Sequence, residues 1–370
     1  MTEERAFAVV TGGGTAGHYL PAMAIAEALV ANGHAVESIH YVGTQRGIEA
    51  KEAPTTGHPY TLLDVAGLQR RFDRSNLSFL PKLRRATKAA GELLRERRPR
   101  VVVNVGGYGS FPATWAARRL GIPYVVVSYD RRPGLVSKLL APKAAAVAVA
   151  FEGSSLPGAT LTGAPVRQAI LHVHREAQRA EARAALGLPD DRFVVAVMTG
   201  SLGAKVVNDT VSALVERWAD RRDIAVHHVV GPRFLDAAAP ARDGAAGILY
   251  RVIGYEDRMP QVYAAADLLI TRAGASTIAE LATVGAPAIV IPWPDAAENH
   301  QLENAKVLAD QGAAVLLEQS ALTVDRLAQE IDALVAEPGR LAVIAHRAHE
   351  AGAVHRSGAL VALVEEVAAR

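Results

Sequence analysis

Phe7-Ala8-Val9-Val10-Thr11-Gly12-Gly13-Gly14-Thr15-Ala16-Gly17-His18 decides the fold. A short apolar run enters a glycine cluster, and a helix-forming stretch follows. Strand, glycine turn and helix in that order open a parallel α/β sheet. The layout recurs at Val105-Gly106-Gly107-Tyr108-Gly109-Ser110 and at Met198-Thr199-Gly200-Ser201-Leu202-Gly203-Ala204. Ligands of such sheets bind beyond the carboxyl ends of the strands, where glycine permits positive φ and close backbone approach. The following helix start adds free N–H groups and the positive end of its dipole. A tight strand-to-helix turn explains one such loop equally well. Three of them, two in the first half and one in the second, point to phosphate-bearing ligands approaching a shared cleft from both sides.

Outward from these loops, β-branched runs alternate with helical segments. Strands are predicted at 7–10, 38–42, 101–105, 124–127 and 146–150, with helices near 20–31 and 80–97. A second set is predicted at 193–198, 225–230, 248–252, 268–271 and 288–291. Two sets mean two doubly wound domains, and 370 residues exceed what one core usually serves. The join is expected near Thr162-Gly163-Ala164-Pro165.

Composition narrows the chemistry. A net charge of +2 and few aromatic residues argue against a nucleic-acid partner. With no cysteine, disulfides, thiolate catalysis and cysteine-ligated zinc are excluded, and a reducing compartment fits. The opening Met1-Thr2-Glu3-Glu4-Arg5 is acidic where a secretory signal is basic. No stretch approaches the ~18 apolar residues that span a bilayer, so a soluble protein is expected, one able to lie on a membrane without crossing it.

Gly12, Gly14 and Gly17 match a dinucleotide fingerprint, but the next strand ends in Val42-Gly43-Thr44 with no carboxylate for an adenosine ribose. No P-loop lysine pair is present either. A nicotinamide enzyme and an NTPase both lose support. His18, at the helix start, can take a proton from an acceptor hydroxyl, or can simply pack there.

In the second half, Thr271-Arg272-Ala273-Gly274-Ala275-Ser276-Thr277-Ile278-Ala279-Glu280 follows a strand and opens a helix. Its small residues leave room for a pyrophosphate, and Ser276 or Thr277 is expected to cap the helix. Glu280, about one turn in, is placed to grip ribose hydroxyls, although the helix dipole alone favours a glutamate there. Pro292-Trp293-Pro294 leads to Glu298-Asn299-His300-Gln301, polar groups suited to sugar hydroxyls. No Asp-x-Asp pair stands in a strand-end loop, so neither a cofactor nor a bound metal is expected. Arg70, Arg71, Phe72, Leu77, Phe79, Leu80, Arg84 and Arg85 interleave charge with apolar bulk, as a segment does against an anionic membrane surface. A solvated helix packing its stripe on its own domain reads the same way.

Together these segments resemble the MurG-type N-acetylglucosaminyltransferases of bacterial peptidoglycan synthesis, over nearly the whole chain. The resemblance rests on Gly13 to His18 with Pro21-Ala22, Gly106-Gly107-Tyr108 with Ser110, and Thr162-Gly163-Ala164-Pro165-Val166-Arg167. Gly200 to Ala204, Arg272 to Glu280 and Asn299-His300-Gln301 with Asn304-Ala305 complete it in order. It implies the GT-B architecture, two Rossmann-like domains facing a cleft. It also implies inverting transfer of N-acetylglucosamine from UDP-N-acetylglucosamine to the 4-hydroxyl of an undecaprenyl-pyrophosphate-linked muramyl peptide (lipid I), giving lipid II.

By the same resemblance, residues 1–163 with a C-terminal helix at about 342–370 face acceptor and membrane, and 164–341 bind the UDP-sugar. Arg167 and Ser201 are then expected near the donor phosphates and Glu256 near uracil. Ala275, Ser276, Thr277 and Glu280 hold diphosphate and ribose, and His300 and Gln301 the sugar hydroxyls. Gly14, Gly17, His18, Gly106, Gly107 and Tyr108 meet the acceptor, while Thr15, Ala16, Gly17 and Asp130 also touch the donor. The partners implied are those two substrates, the cytoplasmic face of an anionic membrane, and a cell-wall or division complex.

One stretch departs from the family pattern. Where the family carries His-Glu-x-Asn, this chain has Val127-Ser128-Tyr129-Asp130, followed by two arginines. Asp130 thus joins His18 as a candidate base, or holds a hydroxyl. The rivals are a transferase for another lipid acceptor, a UDP-N-acetylglucosamine 2-epimerase, and a non-catalytic homologue that binds UDP-sugar.

Overall fold

Valine-rich runs buried on both faces can be satisfied only inside a parallel sheet covered by helices, and each half of the chain builds one. The computed structural model describes residues 5–65, 67, 79–200 and 202–370. Two units divide the chain: Met1–Gln168 with Val354–Arg370, and Ala169–Ala353.

The first unit contains β1 (Ala8–Thr11), β2 (Ile39–Thr44), β3 (Tyr60–Leu63), β4 (Val101–Asn104), β5 (Tyr124–Ser128), β6 (Ala146–Val149) and β7 (Ala159–Leu161). They pair in the order β3-β2-β1-β4-β5-β6-β7, all parallel. The helices are α1 (Ala16–Ala31), α2 (Glu49–Glu52), α3 (Phe79–Arg97), α4 (Phe111–Leu120) and α5 (Leu135–Leu140). The chain winds outward from β1 through β3, then crosses back to β4. That reversal makes the gap between β1 and β4 the topological switch point, where loops from neighbouring strands splay apart. On one face of the sheet Val9, Val42, Val102 and Val126 pack against Ala90 and Leu94 of α3 and Ala113 of α4.

After α6 (Gln168–Leu171) and α7 (Arg175–Leu186), the second unit repeats the plan. Its strands are β8 (Phe193–Met198), β9 (Ile224–Val229), β10 (Arg242–Asp243), β11 (Leu249–Ile253), β12 (Leu268–Thr271), β13 (Ala288–Val290) and β14 (Val315–Leu316). They pair as β10-β11-β9-β8-β12-β13-β14, parallel except for β10. The helices are α8 (Lys205–Arg217), α9 (Met259–Ala265), α10 (Ala275–Val284), α11 (His300–Ala309), α12 (Val324–Ala336) and α13 (Pro338–Ala351). Here the switch point lies between β8 and β12.

The last helix, α14 (Ala359–Ala369), returns to the first unit and packs on β4, β5, β6 and α1. Glu365 accepts from Asn32 Nδ2 at 2.6 Å and meets His34 Nε2 at 2.9 Å. His355 Nδ1 accepts the N–H of Ala164 at 3.0 Å. These contacts correct the expected boundaries. The first unit runs on to Gln168 and regains the chain at Val354, whereas α13 packs on α10 and α12 in the second unit. Among the described residues, no helix is long and apolar enough to cross a membrane.

Candidate active site

In the first unit both glycine loops leave adjacent strands, β1 and β4, and interlock. A Cβ on Gly107 would sit 3.0 Å from His18 Cγ and close upon the Gly13 carbonyl, and one on Gly14 would strike the Tyr108 ring. Gly14, Gly106 and Gly107 also hold φ of +94°, +84° and +74°, which side chains resist. The buried Asn104 staples the second loop: its amide donates to Ser110 Oγ (2.9 Å) and Thr114 Oγ1 (2.8 Å), and its oxygen accepts the N–H of Gly106 (3.0 Å).

Beneath the first loop lies Glu49, wholly buried, a residue that sequence reasoning did not single out. Its Oε1 accepts from Gly14 N–H at 2.6 Å and from Thr44 Oγ1 at 2.7 Å. Gly14 therefore spends its N–H inside the protein, and the loop can offer an anion the free N–H groups at the start of α1.

His18 stands at that start, half-buried, with its ring against Gly106 and Gly107. Its Nδ1 lies 2.9 Å from Thr15 Oγ1, so the N-cap hydroxyl holds the imidazole and makes no side-chain bond to the helix backbone. Three residues on, Pro21 lies inside α1 and cannot donate to the carbonyl of Gly17. The Tyr129 phenol donates to that carbonyl in its place. Tyr129 is buried, and burial together with the neighbouring Asp130 raises its pKa well above the usual phenol value. His18, Gly106, Gly107, Tyr108, Tyr129 and Asp130 line one cavity of about 510 Å³, whose other walls include apolar residues of α3, α4 and α5 together with Ser128 and Ser137. The structure thus brings both candidate bases to one hollow.

In the second unit, β8 and β12 deliver their loops side by side. Gly203 has φ +68°, and a Cβ there would fall on the Val230 carbonyl. The helix cap differs from expectation: Gly274 occupies the N-cap of α10, with no side-chain bond, and Ser276 and Thr277 lie in the first turn. The N–H groups at that start are open to an anion because glycine caps without a side chain. Arg272, at the end of β12, spends its guanidinium on the carbonyls of Ile291 and Pro292 (both 3.1 Å) and on Gln319 Oε1 (2.6 Å). It builds the turn. Gln301 Oε1 accepts from Ala273 N–H (3.3 Å) and Trp293 N–H (2.9 Å), which leaves its amide nitrogen to donate outward. His300 opens α11 after two successive left-handed residues, Glu298 and Asn299, both at φ +54°. Glu280 is half-buried and accepts from the Tyr263 phenol at 2.7 Å.

Glu256 is 5% exposed, and Arg258 holds both carboxylate oxygens at 2.9 and 3.1 Å. His227 Nε2 is 3.3 Å away, outside hydrogen-bond geometry. Burial would raise this carboxyl's pKa, but the Arg258 hydrogen bonds and charge prevail and hold it below the usual value. With the carboxylate committed inward, Glu256 can offer a base only its main chain; the neighbouring Tyr255 is exposed. Arg167 falls in the first unit, close enough to Glu52 to lower that carboxyl's pKa against the larger effect of burial. Phe79 and Leu80 begin α3, with Leu80, Arg84 and Arg85 exposed. Ser201, Arg70, Arg71, Phe72 and Leu77 lie outside the described residues.

Residues 8–149 match the model of the glycosyltransferase family 28 N-terminal domain, and residues 194–357 that of the glycosyltransferase family 28 C-terminal domain. A protein of Acidothermus cellulolyticus is 39% identical over 364 residues, covering 98% of each chain. One of a Nocardioides species is 40% identical over 338 residues, covering 91% of each. Both are named UDP-N-acetylglucosamine–N-acetylmuramyl-(pentapeptide) pyrophosphoryl-undecaprenol N-acetylglucosamine transferase. The crystal structure of Acinetobacter baumannii MurG superposes with a TM-score of 0.72 at 26% identity, covering 99% of this chain and 100% of that one.

Proposed function

The chain belongs to glycosyltransferase family 28, and on that footing we propose that it transfers N-acetylglucosamine from UDP-N-acetylglucosamine to lipid I, giving lipid II for peptidoglycan synthesis. The observation that carries this reading is near full-length likeness to relatives named for that one reaction.

The site chemistry fits a single displacement. When His18 Nδ1–H donates to Thr15, Nε2 keeps its lone pair and takes the proton of the acceptor's 4-hydroxyl. That oxygen attacks the anomeric carbon from the face opposite UDP. The bond to the diphosphate breaks, its electron pair leaves with UDP, and the configuration inverts. Asp130, on the same cavity, holds an acceptor hydroxyl. On the donor side the N–H groups opening α10 meet the diphosphate, and no bound metal enters the reading. Glu280 takes the ribose, His300 and Gln301 the sugar. Exposed Leu80, Leu135 and Leu139 beside Arg84 and Arg85 support peripheral seating on the anionic cytoplasmic face of the membrane.

Label transfer from UDP-N-acetylglucosamine to a lipid I analogue tests the activity. Label in the lipid fraction is expected; label released as free sugar, or recovered as an epimer, refutes it. His18→Gln is expected to lower kcat by about 100-fold or more with the UDP dissociation constant unchanged. Should Asp130→Asn lose more turnover than His18→Gln, the two roles exchange.

A further inference from the structure

Tyr263 is wholly buried on α9, and its main-chain carbonyl accepts from Arg175 Nε at 3.1 Å. The ring has no freedom to follow a partner. Its phenol instead fixes one: Oη donates to Glu280 Oε2 at 2.7 Å, reaching from α9 to the helix that opens beyond β12. A half-buried glutamate otherwise samples several rotamers, and ordering it on binding would weaken any ligand it grips. The phenol takes one of the roughly four acceptor sites on the carboxylate.

We propose that Tyr263 is a positioning residue that pre-orients Glu280 toward the two ribose hydroxyls and so gives the donor site its preference for a ribonucleoside over a 2′-deoxyribonucleoside diphosphate. This rests on the assignment of Glu280 to ribose made above. The phenol does not touch the nucleotide; it acts through the carboxylate.

Calorimetric dissociation constants for UDP and 2′-deoxy-UDP, measured on the full chain and its variants, test it. The native protein is expected to prefer UDP by roughly tenfold, the scale of one well-made hydrogen bond to a charged group. Tyr263→Phe should bind UDP about fivefold more weakly and bring the two affinities to within about threefold, and Tyr263→Phe with Glu280→Ala should be no weaker than Glu280→Ala alone. Glu280→Asp, one methylene shorter, keeps the charge but cannot reach phenol and ribose together; it should lose the preference too, and it answers the question if Tyr263→Phe does not fold. An undiminished preference in either variant, with the preference lost in Glu280→Ala, reduces Tyr263 to core packing. If Glu280→Ala itself keeps native affinity and preference, the ribose assignment fails and takes the inference with it.

Discussion

Tyr129 repairs the helix that Pro21 would otherwise damage. Proline removes the donor for the Gly17 carbonyl, and the phenol supplies one from the end of β5. Tyr129→Phe is therefore expected to cost about 1 kcal/mol, the usual worth of such a bond. Because Gly17 adjoins His18, kcat should fall while UDP affinity holds. A thermal scan with initial rates checks both, and unchanged stability would show that the bond does nothing. At this scale the sequence is only partly legible. The glycines and His18 announce themselves through spacing, because backbone geometry dictates residue type there. Glu49 and Tyr129 do not: a buried carboxylate and phenol matter through partners 35 and 112 residues away, and no local pattern encodes those distances.

Elements follow the same logic. The ten predicted strands form, because a parallel sheet buried on both faces leaves unbroken β-branched runs in the sequence. The four edge strands β3, β7, β10 and β14 carry no such run. The three residues of β7 are all exposed, and only pairing in the fold makes them strands. The cap of α10 is misread for a related reason: Ser276 and Thr277 have capping side chains, but they lie in the first turn, and the N-cap falls on Gly274, which has no side chain to spend on the helix N–H groups. What anchors α7 is equally invisible in sequence. Arg183, 1% exposed, pairs with Asp267 Oδ2 at 2.7 Å, and the same oxygen accepts Val194 N–H at 2.7 Å. Asp267→Asn strands a buried guanidinium and should destabilise the second unit by about 3 kcal/mol or more. Asp325→Asn, which breaks the exposed Arg217 pair, should change stability by less than about 1 kcal/mol. Urea midpoints that fall equally in the two variants would refute the distinction.

The whole molecule carries an acid liability. Burial holds His40 and His355 at about 4 and His228 at about 3, all three below the free imidazole. The unfolded chain takes up these protons first, near pH 6.5, while the folded chain resists until about 4. Stability is thus complete above pH 6.5 and falls as pH drops toward 4, by about 1.4 kcal/mol per pH unit for each histidine. Urea unfolding at pH 7.5, 6.5 and 5.5 should trace that decline, and a flat profile contradicts it. The domain plan was legible in outline, since two sets of strands with a Gly-Pro join demand two sheets. The resemblance placed the chain's return to the first unit at about 342; that it comes only at Val354 was not legible, because the pairings of Glu365 with Asn32 and of His355 with Ala164 span the length of the chain.

The proposed role of His18 as base calls for a one-step displacement at the anomeric carbon. Proton NMR of the disaccharide released from the lipid product reads its outcome directly. A β-linked N-acetylglucosamine, formed from the α-linked UDP donor and dependent on lipid I, is the result expected. An α linkage, or no linkage at all with both substrates present, contradicts the account.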